Sequence, residues 1–232
     1  KVYKNSTPVN LKLRKGEILG MFGLVGAGRT ELSRVIFGID PVRDGRILVD
    51  GKEIKITRPL DAIKAGIALV PEDRKDLGLI LGMSVKDNML LPKLGTFTSP
   101  VLNKKDISNI TGTYIQDLSI ALASEEEEVK NLSGGNQQKV VIAKWMAMNP
   151  KILIMDEPTR GIDIGAKSEI YAIMRKLTEE GMSIIMISSE MAEIQKVSDR
   201  VIVMHEGSVT GEMSVDEATQ ATIMNAAIGM EN

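Results

Sequence analysis

The stretch GLVGAGRT, which begins at Gly23, has the spacing of a phosphate-binding loop. Gly23, Gly26 and Gly28 keep the backbone free of Cβ clashes, so that successive N–H groups can surround an anion at the start of a helix. Thr30 stands where a hydroxyl would ligate Mg²⁺. Arg29 occupies the position at which the motif G-x-x-x-x-G-K-S/T has lysine. The loop predicts a nucleotide site with an unusual cation, and a purely structural strand-turn-helix is the alternative.

Two adjacent acids follow the apolar run ILIM. A buried strand of this length would deliver Asp156 and Glu157 to its C-terminal end, the edge at which ligands bind in open α/β sheets. Asp156 is the candidate for the Mg²⁺ shell, and Glu157 is the candidate general base for an attacking water. Adjacent acids also occur at ordinary strand ends, so the prediction depends on the glycine-rich loop in the same chain.

A second glycine-containing turn lies in NLSGGNQQKVVIAKWM. Ser133, Gly134 and Gly135 precede a helix with Val140 and Val141 on its apolar side, which predicts a second anion-binding helix start. A single ATP cannot easily use both helix starts within one domain. We therefore expect the second one to serve a nucleotide held by a partner; the alternative is a helix start that Ser133 merely caps.

Strand-like and helix-like segments alternate along most of the chain. Apolar runs in EILGMFG, AGIALVPED, KILIMDEP, MSIIMISS and RVIVMHEG predict buried strands. Periodicity in TELSRVIFGI, AKSEIYAIMRKLTEEG and MAEIQKVSD predicts helices, and GRILVDGKEI predicts a hairpin across its Asp-Gly turn. Residues 75–129 are more helical in composition, and the acidic run at residues 125–128 is assigned no chemistry. The order predicts an α/β fold with a mainly parallel sheet, covered by helices and interrupted by a helical insert.

The composition and net charge of the chain exclude several classes of protein. The chain has 232 residues, of which 43% are hydrophobic, and it can therefore bury a sizeable core. A net charge of −2 argues against a basic protein that coats nucleic acid, so no nucleic-acid partner is expected. The absence of cysteine excludes disulfides and thiolate metal sites. No apolar run approaches the ~20 residues of a membrane span. The chain starts with Lys1 next to a strand-like stretch, and we expect it to be part of a longer polypeptide.

Together these motifs resemble an ATP-binding-cassette (ABC) domain along nearly the whole chain. In this resemblance, residues 23–30 are the Walker A motif, LSGGN is the signature, Ile152–Asp156 is the Walker B motif and residues 161–163 are the D-loop. More narrowly, VPEDRKDLGLILGMSVKDN, DEPTRGIDIGAKSEIY and ISSEM are similar to the second, C-terminal cassette of the monosaccharide importers. Those importers include the ATPases for ribose and galactose, and their subunits carry two fused cassettes.

The resemblance implies a P-loop NTPase fold with an antiparallel β subdomain and an inserted helical subdomain. It implies one nucleotide-binding domain over residues 1–232, with a RecA-like core at about 1–74 and 137–232 and a helical signature subdomain at about 75–136. ATP and Mg²⁺ are the implied cofactors. The implied catalytic residues are Glu157 and Ser189, and the implied Mg²⁺ ligands are Thr30, Glu72 and Asp156. The implied nucleotide-binding residues are Gly23, Gly26, Ala27, Gly28, Arg29, Thr30, Glu31, Glu72, Ser133, Gly134, Gly135, Asp156 and Asp163.

Three positions depart from the pattern of a fully active cassette. Arg29 replaces the Walker A lysine with a longer, planar fork, which can neutralise phosphate charge from a shifted position. Glu72 stands in place of the Q-loop glutamine and can still ligate Mg²⁺. Ser189 stands in place of the switch histidine, is too short to reach a γ-phosphate and is no acid or base near neutral pH. From these departures we expect a site that binds nucleotide but hydrolyses it slowly or not at all. Because Glu157 is retained, the site is not classed as inactive.

The expected function is that of an ATPase domain that couples ATP binding and hydrolysis to monosaccharide import at the cytoplasmic face of the cell membrane. The expected partners are a companion cassette, membrane permease subunits and, indirectly, a sugar-binding protein. In head-to-tail pairing the signature of this chain would complete the companion's ATP site. The alternatives are a non-hydrolysing, nucleotide-dependent dimerisation module and a non-transport cassette ATPase. Tyr3 is a weaker candidate for stacking on adenine, because its spacing to Arg29 is short.

Overall fold

The computed structural model describes residue 2, residues 6–96 and residues 104–230; Tyr3 lies outside this part of the chain. The strands are β1 (Ile18–Gly23), β2 (Ile47–Val49), β3 (Lys52–Ile54), β4 (Ile67–Val70), β5 (Ile152–Asp156), β6 (Ser183–Ile187), β7 (Arg200–His205) and β8 (Ser208–Ser214). The α-helices are α1 (Arg29–Phe37), α2 (Pro59–Lys64), α3 (Val85–Leu90), α4 (Lys104–Asp117), α5 (Gly134–Met146), α6 (Ile164–Glu179), α7 (Met191–Val197) and α8 (Gln220–Ala227). A π-helical turn spans Arg74–Gly78, and 3₁₀ helices span Leu91–Thr96 and Val129–Asn131.

Six strands form one sheet in the order β4-β5-β6-β1-β7-β8. Strand β1 is parallel to β6 on one side and to β7 on the other, and β5 is parallel to β6. Strands β2 and β3 form a separate antiparallel pair across the Asp-Gly turn. The predicted mixed α/β fold, with a mainly parallel sheet flanked by helices and a small antiparallel sheet, is confirmed.

The central strands lie in the core because their side chains are apolar on both faces. All six residues of β1 and all five of β6 are buried. Continuous apolar runs of this kind are typical of parallel strands that helices cover on both sides. The buried strands bring the end of β1 and the end of β5 to the same edge of the sheet, because both are parallel to β6.

The sequence patterns missed the last strand and the last helix. Strand β8 pairs antiparallel with β7, and its register shifts between Val203 and Met204. Helix α8 contributes Ile223, Ala226 and Ala227 to a buried apolar cluster with Phe22 of β1 and with β7. Helix α8 has only eight residues and β8 is half exposed, so neither carried a strong periodic signal.

The described residues divide into two compact units. The first falls within Lys1–Leu69, Lys151–Glu157 and Met174–Asn232, and the second falls within Val70–Pro150 and Pro158–Ile173. Helix α5 and the start of α6 belong to the second unit, which is therefore larger than the helical subdomain predicted at about 75–136. The assignment of a RecA-like core and a signature subdomain stays a prediction. In the part of the chain that the structure describes, no helix has the length and apolar character needed to cross a bilayer.

A glycine in β1 gives a test of this packing. A Cβ at Gly20 would lie 2.2 Å from Oγ of Ser198, so Gly20→Ala forces the tightly packed core to shift. We expect Gly20→Ala to lower the free energy of unfolding by about 1–3 kcal/mol. Gly112, inside α4, has open space around the same position. As the matched control, Gly112→Ala should raise stability by up to about 1 kcal/mol, because alanine favours a helix interior. Urea unfolding measures both changes; equal effects would contradict the packing described.

Candidate functional site

The predicted phosphate loop connects β1 to α1. Gly26 and Gly28 adopt φ values of 81° and 94°, the left-handed region that favours glycine, and Gly28 is the N-cap of α1. A Cβ at Gly23 would lie 2.6 Å from the carbonyl oxygen of Met204. The N–H of Ala27 donates to the carbonyl of Leu24 at 3.0 Å. The glycines are therefore required by the backbone of this turn and by its close approach to β7.

The loop is also tied to the turn between β7 and β8. The carbonyl of Ala27 accepts a hydrogen bond of 2.8 Å from the N–H of Gly207. A Cβ at Gly28 would lie 3.0 Å from Cα of Gly207, so the two turns touch through glycine backbone. Glu31, predicted to bind nucleotide, lies in the first turn of α1. The loop is held in place at the N-terminus of a helix, where an anion is favoured.

Asp156 lies at the end of β5 beside Thr30 of α1. Its side chain is 2% exposed and accepts a hydrogen bond from the Thr30 side chain. Among the described residues its Oδ1 has no hydrogen-bond partner, although it is buried. Burial raises the pKa of Asp156 to about 6; the Thr30 bond and the Arg29 charge oppose that rise, whereas Glu157 adds to it. A buried carboxylate with a free oxygen is poised to accept a cation.

The Thr30–Asp156 pair fits Mg²⁺ of the kind that accompanies a nucleotide. Mg²⁺ prefers hard oxygen ligands and is usually held by one or two protein groups, with water and phosphate oxygens completing the octahedron. The unpartnered Oδ1 of Asp156 and the adjacent hydroxyl of Thr30 supply such oxygens. In the part of the chain that the structure describes, no group of three or more acidic, histidine or cysteine side chains is arranged to hold a metal ion. The donor set therefore fits a metal that phosphate helps to hold.

Glu157 follows in a strained conformation. Its φ of 46° lies in the left-handed region, which is uncommon for a residue with a side chain. Its N–H donates to the carbonyl of Ile187 at 2.9 Å, and its carboxylate accepts hydrogen bonds from Ser189. Burial raises the pKa of Glu157, and the bonds from Ser189 and the charge of Arg29 oppose that rise. The two predicted catalytic residues, Glu157 and Ser189, are thus in direct contact.

Arg29 faces Glu157 inside this site. Its Nη1 lies 3.6 Å from Oε1 of Glu157, and the two side chains are only 11% and 13% exposed. That distance is an ion pair and is too long for a hydrogen bond. Nη1 of Arg29 is buried and forms no hydrogen bond among the described residues. The cation predicted to neutralise phosphate is therefore directed at the predicted general base.

A buried pair behind Ser189 was missed by the sequence analysis. Oγ of Ser188 donates to Oε2 of Glu193 at 3.0 Å and accepts the N–H of Glu190 at 3.0 Å. Ser188 and Glu193 are both almost completely buried. The pair fixes the turn that carries Ser189. In the sequence, Glu193 is the third residue of α7 and follows two serines. Nothing in the sequence distinguished this glutamate from acids on the surface.

The second predicted anion-binding turn lies in the second unit. Ser133 is the N-cap of α5, where its Oγ accepts from the backbone N–H and the side-chain amide of Asn136 at 3.4 and 3.0 Å. A Cβ at Gly134 would lie 2.8 Å from Nη2 of Arg74, and one at Gly135 would lie 2.5 Å from Cβ of Ala166. The two glycines are therefore required by their close neighbours.

Two other predicted site residues have protein partners in the second unit. Oδ1 of Asp163 accepts the N–H of Ala166 at 2.9 Å and so caps the start of α6. The carboxylate of Glu72, predicted as a Mg²⁺ ligand, is paired with the guanidinium of Arg160. Sequence reasoning did not anticipate either contact. Ligand roles for Asp163 and Glu72 stay predictions.

The loop-bearing parallel sheet, with Thr30, Asp156 and Glu157 at one edge, has the arrangement of a P-loop nucleotide-binding domain. A family model described as ABC transporter matches residues 6–160. The chain therefore belongs to the ABC transporter family, as the motif resemblance predicted.

Curated relatives and solved structures agree with this family. The chain is 51% identical over 224 residues to the ribose import ATP-binding protein RbsA of Bacillus cereus, which covers 96% of the chain and 45% of the relative. It is 53% identical over 222 residues to the protein of the same name from Oceanobacillus iheyensis, with 95% and 45% covered. The chain thus spans a little under half the length of these relatives.

Its fold matches a nucleotide-free ATP-binding cassette with a TM-score of 0.83 at 22% identity, covering 95% of the chain and 91% of that structure. It also matches CbiO1 of Clostridium perfringens with a TM-score of 0.78 at 27% identity, covering 93% and 84%.

The buried carboxylate of Asp156 predicts a dependence of stability on pH. The pKa of Asp156 rises from 3.8 in the unfolded chain to about 6 in the folded chain. Between these two pH values, the folded chain therefore keeps a proton on Asp156 that the unfolded chain has released. This group therefore makes stability fall as pH rises through the window, and its effect is complete above about pH 6. Asp156→Asn removes the effect. Without metal or nucleotide, we expect the Tm of Asp156→Asn relative to the parent to increase between pH 4 and pH 7. A difference in Tm that does not vary with pH would contradict the buried, metal-free carboxylate.

Proposed function

We propose that this chain is the ATP-binding and ATP-hydrolysing domain of a sugar importer, in which ATP turnover drives monosaccharide import. The observation that carries the proposal is the contact of Thr30 with the buried, half-partnered Asp156 at the end of β5, beside Glu157. Thr30 and Asp156 would hold Mg²⁺, which neutralises phosphate charge when it is bound with ATP. Glu157 would accept a proton from the attacking water. The name of the relatives, a ribose import ATP-binding protein at about 50% identity, supports monosaccharides as the cargo.

We place the nucleotide of this chain on the first loop, in a degenerate site. Arg29 is engaged by Glu157, so a nucleotide must draw the guanidinium away before it can pair with phosphate. The same ion pair stabilises the ionised form of Glu157. It therefore opposes the uptake of a proton from water by the Glu157 carboxylate. Ser189 bonds Glu157 but cannot itself shuttle a proton near neutral pH. Each of these features slows hydrolysis without preventing binding.

The signature turn would act on a second nucleotide, held by a companion cassette. Ser133 starts α5 and leaves the N-terminal dipole of a thirteen-residue helix available to an anion. The relatives are more than twice as long as the matched region, which leaves length for a companion cassette in the same polypeptide. The remaining partners would be membrane permease subunits, contacted near residues 72–91, and a sugar-binding protein. The domain would then lie at the cytoplasmic face of the membrane.

One observation favours the non-hydrolysing dimerisation module as a second candidate. Arg29, the proposed phosphate-binding cation, and Glu157, the proposed general base, are paired with each other. A site in that state can bind nucleotide between two domains without turning it over. Phosphate release by the two-cassette protein separates the two candidates, since a module that only dimerises releases none. No observation favours a non-transport cassette.

Nucleotide binding to the first loop can be tested with an isosteric pair at Gly26. This residue is exposed, has open space where a Cβ would lie and has a φ of 81°, which aspartate and asparagine tolerate better than other side chains. Gly26→Asp adds a negative charge next to the phosphates, whereas Gly26→Asn adds the same shape without the charge. We expect calorimetric ATP affinity, measured with Mg²⁺, to fall at least tenfold further in Gly26→Asp than in Gly26→Asn. Equal affinities would place the nucleotide elsewhere.

The division of labour between the two turns predicts a ranking of variants in the two-cassette protein. Ser133→Asp keeps the N-cap but directs a carboxylate at the companion's nucleotide, and Arg29→Ala removes only the degenerate site's cation. We expect Ser133→Asp to abolish most of the steady-state ATP turnover and Arg29→Ala to change it less than threefold. Ser124→Asp, at an exposed loop position, is the matched control for added charge. The opposite ranking, with Arg29→Ala the more damaging variant, would refute the assignment of the signature turn.

A further inference from the structure

The segment after Glu72 holds an arginine that the motifs do not explain. Arg74 begins the π-helical turn Arg74–Gly78, which Asp73 caps by accepting the N–H groups of Lys75 and Asp76 at 2.8 and 3.0 Å. Turns of this kind are rare in proteins and are found most often at functional sites. The carboxylate of Asp73 therefore fixes the backbone from which the Arg74 side chain leaves.

The far end of this turn is anchored on the helix that begins at the signature. Nζ of Lys144, in α5, donates to the carbonyl of Gly78 at 2.7 Å. A Cβ at Gly78 would lie 3.1 Å from Cγ2 of Val141, so the turn packs closely against the same helix. Burial lowers the pKa of Lys144, which is consistent with a cation enclosed between the two elements. The end of the π-helical turn that begins at Arg74 is thus held on α5.

The guanidinium of Arg74 reaches the predicted D-loop. Its Nη1 donates to the carbonyl of Arg160 at 2.8 Å, and its Nη2 donates to the carbonyl of Gly161 at 3.2 Å. The buried Nε of Arg74 has no acceptor among the described residues, so the bonds of Nη1 and Nη2 fix the guanidinium group. Two parallel donors on consecutive carbonyls require a planar fork, which lysine does not offer.

The same guanidinium lies against the first signature glycine. A Cβ at Gly134 would be 2.8 Å from Nη2 of Arg74, 3.3 Å from Cγ2 of Ile162 and 3.4 Å from the carbonyl oxygen of Gly161. Neither Gly134 nor Gly161 has a side chain with which to fix its own turn. Arg74 therefore lies between the signature turn and the D-loop, and it forms its hydrogen bonds to the D-loop side.

We infer that Arg74 is a positioning residue, which holds the D-loop and the turn of Ser133, Gly134 and Gly135 in the arrangement that grips the companion cassette's nucleotide. The inference rests on the proposed function, because that function assigns the signature turn to the companion's ATP. Arg74 is not a catalytic residue, since its guanidinium is occupied by backbone carbonyls of its own chain. Its effect on turnover is transmitted through the two loops that it connects.

The first test is steady-state hydrolysis by the two-cassette protein carrying Arg74→Ala or Arg74→Lys. Loss of the two charged hydrogen bonds in Arg74→Ala should lower kcat about tenfold or more. The KM for ATP should change less than kcat, because Arg74 bonds backbone carbonyls and not nucleotide. Arg74→Lys can reach one carbonyl and should recover part of the rate, which also provides a folded variant if alanine impairs folding.

The second test reports the position of the D-loop without using activity. The bond between Arg160 and Gly161 is a trypsin site, and Arg74 holds the carbonyls on both sides of it. We expect cleavage at this bond, followed by mass spectrometry, to be about tenfold faster in Arg74→Ala than in the parent. Arg175→Ala is the matched control, because Arg175 also bonds a backbone carbonyl, that of Val197, but lies outside both loops. It should leave kcat and the cleavage at Arg160 unchanged.

The outcomes separate this inference from the proposed function. Lower kcat together with faster cleavage in Arg74→Ala, both partly reversed in Arg74→Lys, would support the positioning role. Parental turnover or parental cleavage in Arg74→Ala would overturn it, provided that Ser133→Asp is inactive, and the proposed function would then stand. Parental turnover in Ser133→Asp would overturn the proposed function of the signature turn itself.

Discussion

The buried carboxylate of Asp156 is the constraint on which the nucleotide edge of the sheet depends. An ionised group at 2% exposure, one of whose oxygens has no partner among the residues that the structure describes, is costly in an apolar core, and its pKa of about 6 reflects that cost. The hydrogen bond from Thr30, at the start of α1, and the charge of Arg29 offset part of this cost. A cation bound there would remove the cost, so ligand binding and folding stability are coupled at this position.

Arg29 shows how one substitution redistributes charge in a site that otherwise keeps its shape. The loop retains the positive-φ glycines and the helix start that an anion needs. The longer guanidinium finds Glu157 at 3.6 Å, where the strained backbone of that residue directs its carboxylate. Where this site departs from the motif, the difference therefore lies in a contact between two charged side chains and not in a lost backbone.

The sequence predicted what depends on local pattern. The strands that carry Gly23 and Asp156, the Asp-Gly hairpin and the start of α5 all have signals in composition or spacing, and all are present. It could not predict which long side chains meet. The pairing of Glu72 with Arg160 joins residues 88 positions apart, and it depends on rotamers that only the tertiary structure selects. The short helix α8 was missed because its stability comes from packing on β7.

The two predicted anion-binding turns also differ in the contacts that surround them. The first loop is fixed by backbone, since Ala27 bonds Gly207 and the glycines fit against neighbouring strands and turns. The signature turn consists of a serine cap and two glycines, and side chains approach it closely, with Arg74 next to Gly134 and Ala166 next to Gly135. Movement of the segment that carries Arg74 would therefore reach this turn through the contact at Gly134. That segment begins at Glu72, in the stretch proposed to contact the permease. Under the proposed function, displacement of the π-helical turn would alter the contact of Arg74 with the signature turn, and a permease bound near residues 72–91 would in this way act on the companion's nucleotide.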